Sequence, residues 1–307
     1  MHRFLLYLSE IKLTDSTLII VRLNGGLGNQ LFQYAMGRHL SEINQTELKL
    51  DISWYEKGIR NYELKYFNIK AGLTTTEDTI LITKMTTRWS HRIDRNIIQK
   101  LKPYHRRNHV HERRTGFDHS ILEAYDNTYL TGYWQSEKYF KFVEPILRQE
   151  LQFREPMDEK NRAMIRQIRE TNAVGLHIRR GDYVSNREYR QTFGICDLSY
   201  YRNAILHITS KVPDTRFFVF SDDPVWAKEN MGVINTAFVT HNQGADSYRD
   251  MQLMSLCQHN IIANSTFSWW GAWLNPNPDK IVIAPKNWFA DARLHNKDLI
   301  PSDWVIL

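Results

Sequence analysis

The stretch AVGLHIRRGDY, residues 173–183, joins a short apolar run to a dense group of polar side chains. The apolar run at 173–176 is typical of a buried strand, so the polar residues emerge at the carboxyl end of that strand. In open α/β sheets this edge is where ligands bind, and Arg presents a planar fork of donors that matches pairs of phosphate oxygens. The stretch indicates either a phosphate site or a surface turn with one Arg–Asp ion pair. Its candidate residues are His177, Arg179, Arg180 and Asp182.

Beyond residue 156, apolar runs alternate with helix-like segments, as in a βαβ array. Strands are predicted at 173–178, 217–220, 237–240, 260–263 and 281–284, and helices at 198–210, 226–230 and 247–258. Glu155-Pro156 is the best candidate for a seam, because the residue before a proline avoids the helical region. We therefore expect an α/β chain with one domain at 1–155 and a second at 156–307, whose last residues are free to pack back on the first.

A second strand-to-loop exit lies near the start of the chain. The β-branched run at 17–23 leads into NGGLGNQ, residues 24–30, and then into a predicted helix. Glycines at a helix N terminus let backbone N–H groups approach an anion, which the helix dipole favours there. The spacing is neither that of a Walker A loop nor GxGxxG, so Gly26, Gly28 and Asn29 indicate either phosphate or sugar contact or a tight turn. Further strands are predicted at 46–52, 62–69 and 128–131.

The predicted strand at 128–131 delivers GYWQS, residues 132–136, to the same edge of its sheet. Ser136 is suited to cap a following helical turn. Tyr133 and Trp134 either stack on a sugar ring or pack in the interior, and Gln135 lies beside them.

Two further polar groups follow strands in the second half. Asp222 and Asp223 either bind a base or ribose hydroxyl, cap the next helix, or contribute to a Mg²⁺ site for which no third protein ligand is evident. Asn264, Ser265, Thr266 and Phe267 begin a helix that offers hydroxyl and N–H groups to phosphate oxygens. The tryptophans that follow, Trp269, Trp270 and Trp273, are expected to pack that helix against the sheet.

Composition sets the outer bounds. A chain of 307 residues suits two domains, and the net charge of +6 suits an anionic ligand or membrane headgroups without being a nucleic-acid signature. The two cysteines, far apart and without metal spacing, favour a reducing compartment. The apolar run at 4–8 is too short for a secretory signal or a membrane span. The basic segment 88–114 is either a solvated face or a surface for anionic lipid.

Five motifs occur in one chain and in one order: GGLGNQLFQ at 25–33, GYWQS at 132–136, HIRRGD at 177–182, FSDD at 220–223 and NSTFSWWGA at 264–272. Together they resemble the bacterial branch of the α-1,2-fucosyltransferases, glycosyltransferase family 11, over roughly residues 17–290. The resemblance implies a GT-B-like architecture, in which two Rossmann-type domains face each other across a cleft. It also implies transfer of L-fucose from GDP-β-L-fucose, with inversion, to the 2-hydroxyl of a terminal galactose, with no metal or other cofactor required.

The resemblance also implies roles for single residues. Arg179 falls on the Arg of the HxRxxD pattern that holds the β-phosphate of GDP, and Arg180 would reinforce it or hold the loop. Asn29 matches an Asn that reaches across the cleft to the donor. The segment 264–267 matches one that closes around the phosphates, and Asp222 or Asp223 a carboxylate near guanine or ribose. Tyr133, Trp134 and Gln135 are assigned to the acceptor.

The chemistry asks for these residue types. Departure of a diphosphate builds negative charge that fixed cations and N–H groups stabilise, and inversion needs an acceptor for the proton of the galactose hydroxyl. Asp182 and His177 are the candidates for that base, or else they orient Arg179.

Two alternatives to this function are a transferase that forms a different linkage or uses another GDP-sugar, and a non-catalytic glycan-binding protein. The expected partners are GDP-fucose and a terminal β-galactoside, either lactose-like or lipid-linked, with no nucleic acid. By analogy, we expect a cytoplasmic enzyme that is at most peripheral at the inner membrane face.

Overall fold

The computed structural model describes residues 17–84, 99–113, 115–231 and 235–307. The chain forms two parallel sheets, one of five strands in the order β3-β2-β1-β5-β4 and one of six in the order β11-β10-β9-β6-β7-β8. The predicted α/β class, with two Rossmann-type units facing each other across a cleft, is confirmed. The apolar run at 4–8 lies outside the described residues, as do residues 88–98 and 114 of the basic segment 88–114.

The first sheet and its helices come from the first half of the chain. Its strands are β1 (Leu18–Arg22), β2 (Glu47–Asp51), β3 (Gly72–Leu73), β4 (His109–His111) and β5 (Thr128–Thr131). The described helices are α1 (Leu27–Asn44), α2 (Thr76–Lys84) and α3 (Glu144–Glu150), with short 3₁₀ turns between them.

The second sheet is built from the second half. Its strands are β6 (Asn172–Ile178), β7 (Thr215–Ser221), β8 (Thr236–Val239), β9 (His259–Ile261), β10 (Val282–Ala284) and β11 (Val305–Ile306). Its helices are α4 (Glu159–Arg169), α5 (Gly181–Ser185), α6 (Arg187–Phe193), α7 (Leu198–Thr209), α8 (Pro224–Asn230), α9 (Tyr248–Leu256) and α10 (Thr266–Leu274). The predicted domain boundary at 155/156 falls between α3 and α4 and stays a prediction.

In each sheet the order of the strands reverses at one strand, from which the chain continues to a neighbour on either side. In the first sheet, β1 pairs with β2 on one side and β5 on the other. In the second, β6 pairs with β7 and β9. Ligands of open α/β sheets bind outside the carboxyl ends of strands at such a switch point. The fold therefore places the glycine-rich loop after β1 and the HIRRGD motif after β6 at the two positions that suit a ligand.

The strand predicted at 62–69 is wrong, because the chain there forms a 3₁₀ turn at Leu64–Tyr66. Leu64 and Phe67 are both buried, and their spacing of three puts them on one side of such a turn rather than on one face of a strand. The strands β3, β4 and β11, of two or three residues each, were not predicted. All three lie at the edges of their sheets, where short pairing leaves little pattern.

Helix α10 makes contacts with the first half of the chain that were not predicted. Its tryptophans are buried, but their ring contacts run to the first half of the chain. The Trp269 ring lies 4.5 Å from Phe32 of α1, and the Trp270 ring stacks on Phe140 at 5.4 Å. The largest apolar core therefore joins side chains of α1 to those of α10. The same core contains Val282 and Ala284 of β10, so the contact with α1 adds to the packing on the sheet that was expected for these tryptophans.

Among the described residues, none of the helices is long and apolar enough to cross a membrane. Cys196 and Cys257 are both buried and free.

Candidate active site

A cleft of about 710 Å³ opens between the carboxyl edges of the two sheets. Residues predicted for the site that line it are Gly26, Gly28, Asn29, Tyr133, His177, Arg179, Asp182, Asp222, Ser265, Thr266 and Phe267. The two strand-to-loop exits thus face one shared space. Predicted residues that do not line it are Arg180, Asp223, Asn264, Trp134 and Gln135.

Arg179 is held in the cleft by two carboxylates. One terminal nitrogen of its guanidinium lies 2.7 Å from Asp182 Oδ1 and the other 3.0 Å from Asp222 Oδ2. Burial acts to lower the pKa of Arg179, but the two carboxylates outweigh it and leave that pKa above its ordinary value. The side chain keeps 24% of its surface exposed. A fixed cation with an open face is therefore available to an anionic ligand.

Asp182 links the two halves across the cleft. Its Oδ1 accepts from Arg179, and its Oδ2 accepts from Arg60 at 2.9 Å. Arg60 comes from the loop that follows the 3₁₀ turn at Ser53–Lys57 in the first half. Both carboxylate oxygens of Asp182 are thus occupied by guanidinium groups, which suits an orienting role.

Two helix N termini meet at the cleft. Ser265 precedes α10 without capping it, and the first turn of α10 holds no acidic residue. Gly26 likewise gives α1 no side-chain cap, although the Glu63 carboxylate accepts from the Leu27 N–H. The N terminus of α10 therefore carries unneutralised N–H groups and a positive dipole end beside Arg179, which favour an anion.

The amide of Asn29 is fixed from both halves of the chain. Its Oδ1 accepts from Thr266 Oγ1 and from Gln135 Nε2, each at 3.0 Å. Its Nδ2 is thereby left for the cleft. Gln135, which was assigned to the acceptor, lies behind Asn29 and does not line the cleft. It supports Asn29 by this hydrogen bond.

His177 is a neutral side chain at the floor of the cleft. Only 5% of its surface is exposed, and burial together with the charge of Arg179 lowers its pKa to about 3. Its Nδ1 is buried without a hydrogen-bond partner among the described residues. An imidazole with so low a pKa takes up a proton poorly, which argues against His177 as the general base.

Arg180 and Asp223 form a support behind the cleft. Arg180 Nε lies 3.3 Å from Asp223 Oδ2, and its guanidinium stacks 4.0 Å above the Trp226 ring. Asp223 accepts from the Trp226 N–H and so caps α8. Of the alternatives left open for Asp223, the structure shows helix capping.

Asn264 and Trp134 lie in the interior. Asn264 is 1% exposed and donates to the carbonyl oxygens of Phe193 and Trp288. Trp134 is also 1% exposed and meets Tyr139 edge to face. Neither side chain reaches the cleft in this structure, whereas Tyr133 lines it and is 45% exposed.

Several cleft residues were not predicted. Asp250, on the first turn of α9, accepts from Asn242 Nδ2 at 2.8 Å, and burial raises its pKa to about 7. Glu63 and Arg60 line the cleft from the first half. These residues follow no strand and belong to no motif, so the sequence carried no signal for them beyond their charge.

Among the described residues, no group of three or more His, Cys, Asp or Glu side chains is arranged to hold a metal ion.

A family model described as Glycosyl transferase family 11 matches residues 4–307 of the chain. The chain is 35% identical over 295 residues to an α-1,2-colitosyltransferase of Escherichia coli, covering 94% of this chain and 98% of that protein. It is 32% identical over 301 residues to the Escherichia coli O-antigen biosynthesis glycosyltransferase WbnK, covering 93% and 99%. It is also 27% identical to human galactoside α-(1,2)-fucosyltransferase 1, over 47% of this chain and 42% of that one.

Proposed function

The chain belongs to glycosyltransferase family 11, and on that premise we propose that it moves L-fucose from GDP-β-L-fucose to the 2-hydroxyl of a terminal galactose. The transfer inverts the configuration at the fucose anomeric carbon and uses no metal. The α-1,2-colitosyltransferase and the human galactoside α-(1,2)-fucosyltransferase support the α-1,2 linkage, and the human protein supports fucose as the sugar.

One observation carries this proposal: Arg179, the Asn29 amide and the free N terminus of α10 face the same cleft from both halves of the chain. Loss of GDP from the donor builds negative charge on the β-phosphate. Preorganised cations and N–H groups at that charge supply the largest part of catalysis in comparable sites. Arg179 would bind the β-phosphate and take the place that a metal ion has in other transferases.

The cleft also offers a contact for the guanine base. Asp250 and Asn242 line it from the second half of the chain, and Asp250 forms no salt bridge among the residues described. An ionised carboxylate accepts two hydrogen bonds from the N1–H and 2-amino groups of guanine, whose edge presents both donors side by side. Asp222 and Asp223, the earlier candidates for this contact, are engaged by Arg179 and by α8. We therefore assign the guanine contact to Asp250.

The test is GDP-fucose turnover with lactose as acceptor, in EDTA, for the wild type and Arg179→Ala. We expect product with fucose on the galactose 2-hydroxyl, unchanged by EDTA, and a loss on the order of 10²–10³ in rate for the variant. Arg202→Ala is the matched control, because Arg202 is exposed on α7, outside the cleft. GDP-fucose binding without transfer to any galactoside would contradict the proposal and favour a glycan-binding protein.

A second donor is favoured by the similarity to the α-1,2-colitosyltransferase. Colitose is L-fucose without its 3-hydroxyl, so the two donors differ in one hydrogen-bonding group. A site built to hydrogen-bond a hydroxyl rejects the analogue that lacks it by roughly 10⁴-fold or more. Competition between the two GDP-sugars for limiting enzyme measures this ratio, and a preference for GDP-colitose would replace fucose in the proposal.

A further inference from the structure

The proposed transfer needs a group that takes the proton of the acceptor hydroxyl, and neither residue first considered suits that task. His177 stays neutral down to low pH. Asp182 has one oxygen on Arg179 and the other on Arg60. Both oxygens of Asp182 are therefore already engaged by guanidinium groups.

Glu63 is placed differently. It lines the cleft from the first half of the chain, whereas α10, which we propose faces the donor phosphates, belongs to the second half. Of the four carboxylates that line the cleft, Asp182 and Asp222 are paired with Arg179, and Asp250 accepts from Asn242. Glu63 has no salt bridge among the residues described. Its carboxylate accepts a hydrogen bond from the Leu27 N–H, and a carboxylate with two oxygens keeps further lone pairs for an acceptor hydroxyl.

The Glu63 backbone is held by a buried residue of the glycine-rich motif. Gln30 is fully buried, and its Oε1 accepts from the Glu63 N–H at 2.8 Å. Its Nε2 donates to the carbonyl oxygens of Gly25 and Asn61. Gln30 thus ties the loop carrying Glu63 to the glycine-rich loop, so both are fixed relative to α1. Such second-layer support is what a reacting group requires for a defined position.

We propose that Glu63 is the general base of the transfer, an inference that rests on the proposed function. As the bond between fucose C1 and the β-phosphate oxygen breaks, its electron pair leaves with GDP. The acceptor hydroxyl oxygen forms the new bond to C1 from the opposite face, and its proton passes to a Glu63 carboxylate oxygen. The resulting carboxylic acid then releases that proton to water, so the enzyme returns to its starting form.

The surroundings of Glu63 suit this exchange. Burial raises its pKa above the ordinary value, whereas Arg60, the Leu27 N–H and Lys65 act to lower it and so keep the charged form accessible. The Tyr55 hydroxyl donates to the Gly25 carbonyl oxygen at 3.2 Å, and burial together with the charge of Glu63 raises the pKa of Tyr55. A base with a raised pKa takes up a proton more readily.

The test compares Glu63→Gln with the wild type and with Glu56→Gln, an exposed glutamate of the preceding 3₁₀ turn. We expect Glu63→Gln to lose about 10²- to 10⁴-fold in transfer to lactose, with an unchanged Kd for GDP. The wild-type rate should fall as the pH drops through the raised pKa of Glu63, because the base is then protonated. The residual rate of Glu63→Gln should lack that limb, and Glu56→Gln should match the wild type.

The use of azide as an alternative acceptor distinguishes a general base at Glu63 from a residue that only supports the structure. Azide is an anion that needs no deprotonation, and its attack on C1 gives fucosyl azide and GDP. Glu63→Ala should therefore form fucosyl azide at least as fast as the wild type while failing to fucosylate lactose. Wild-type transfer rates in Glu63→Gln, or equal loss of lactose and azide transfer, would overturn Glu63 alone. Absence of transfer by the wild type would overturn the proposed function together with its base.

Discussion

The amide of Asn29 shows how a single side chain is set by its neighbours. An amide presents a donor on one side and an acceptor on the other, and two donors, Gln135 and Thr266, hold the acceptor side. The donor side therefore faces the proposed phosphates. Trp134, just before Gln135, has a φ of 54°, which is costly for a bulky residue. With this backbone conformation at Trp134, the Gln135 side chain lies within hydrogen-bonding distance of Asn29.

Gln135→Glu should reverse this arrangement. The new carboxylate accepts rather than donates, so the Asn29 amide turns its Nδ2 toward residue 135 and its oxygen toward the ligand. We expect kcat/KM for GDP-fucose to fall by about tenfold or more, the equivalent of about 1.4 kcal/mol. Gln135→Met, which removes the donor without adding an acceptor, should lose less because Thr266 still holds the amide. Equal activity of Gln135→Glu and the wild type would show that Gln135 does not orient Asn29.

Asp250 should make GDP binding depend on pH. Its pKa in the free protein is about 7, and only the ionised form accepts both guanine donors. Affinity should therefore weaken toward tenfold per unit as the pH falls below about 7. Calorimetry with GDP at pH 6 and pH 8 measures this, and Asp250→Asn supplies the control for titration of the nucleotide itself. An identical pH dependence in the variant would contradict the assignment.

The same residue has a consequence for stability. The pKa of Asp250 is raised on folding from 3.8 to about 7, so the folded state binds the proton more tightly than the unfolded chain does. The stability linked to that proton is fully present below about pH 4 and is lost as the pH rises through 7. Asp250→Asn, which stays uncharged, should therefore raise the melting temperature relative to the wild type more at pH 8 than at pH 5. Thermal unfolding at both pH values measures the difference.

At the scale of helices and strands, the contact between α1 and α10 depends on a glycine. A Cβ placed on Gly28 would lie 2.4 Å from the Thr266 carbonyl carbon, too close for any contact, and a main-chain atom cannot move aside cheaply. A Cβ on Gly26 would meet nothing within 4 Å. Gly28 therefore permits the two helix N termini to approach.

Gly28→Ala should separate these helix ends. We expect a loss of about 1–3 kcal/mol in the free energy of unfolding, and a fall in activity, because the Asn29–Thr266 hydrogen bond is stretched. Gly26→Ala is the matched control for the loss of stability and should be close to the wild type in the free energy of unfolding. Urea unfolding and the transfer assay measure the pair. Equal stability of the two variants would show that the helix ends are free to adjust.

The sequence predicted the elements that carry apolar, β-branched runs, and with them the site residues at strand ends. Arg179, Asp182, Asp222 and Thr266 follow buried strands, so the strand pattern alone placed them at one edge of a sheet. Glu63 and Asp250 could not be found this way. One lies in a loop and the other in a helix, where an isolated acidic residue has the pattern of a solvated surface.

On the scale of the whole molecule, the two halves share one apolar core. Phe32 and Phe140 of the first half surround Trp269 and Trp270 of α10. The sequence did not predict this contact between the halves, because an apolar helix has the same residue pattern whether it packs on its own sheet or on another part of the chain. The contact depends on the relative placement of two sheets, which only the folded chain defines.

We expect the halves to unfold in a single transition because of this shared core. Trp270→Ala should cost about 3–5 kcal/mol and should split the transition, since the variant weakens the joint more than either sheet. Trp270→Phe keeps an aromatic ring and should lose less. Scanning calorimetry distinguishes one transition from two. A single, merely shifted transition in Trp270→Ala would show that other contacts suffice to couple the halves.

The placement of α10 bears on how such enzymes can be recombined. A chimaera cut between residues 155 and 156 would separate the half that we propose binds the nucleotide from α1. The tryptophans of α10 would then meet the α1 of another enzyme, to which they are not matched. Exchange of that half alone would therefore leave a mismatched aromatic seam beside the Gly28–Thr266 approach. A segment that is exchanged between two enzymes should therefore include α1 together with the second sheet and its helices. For this reason, new donor specificities are better sought by changing loops within one chain than by exchanging halves between two chains.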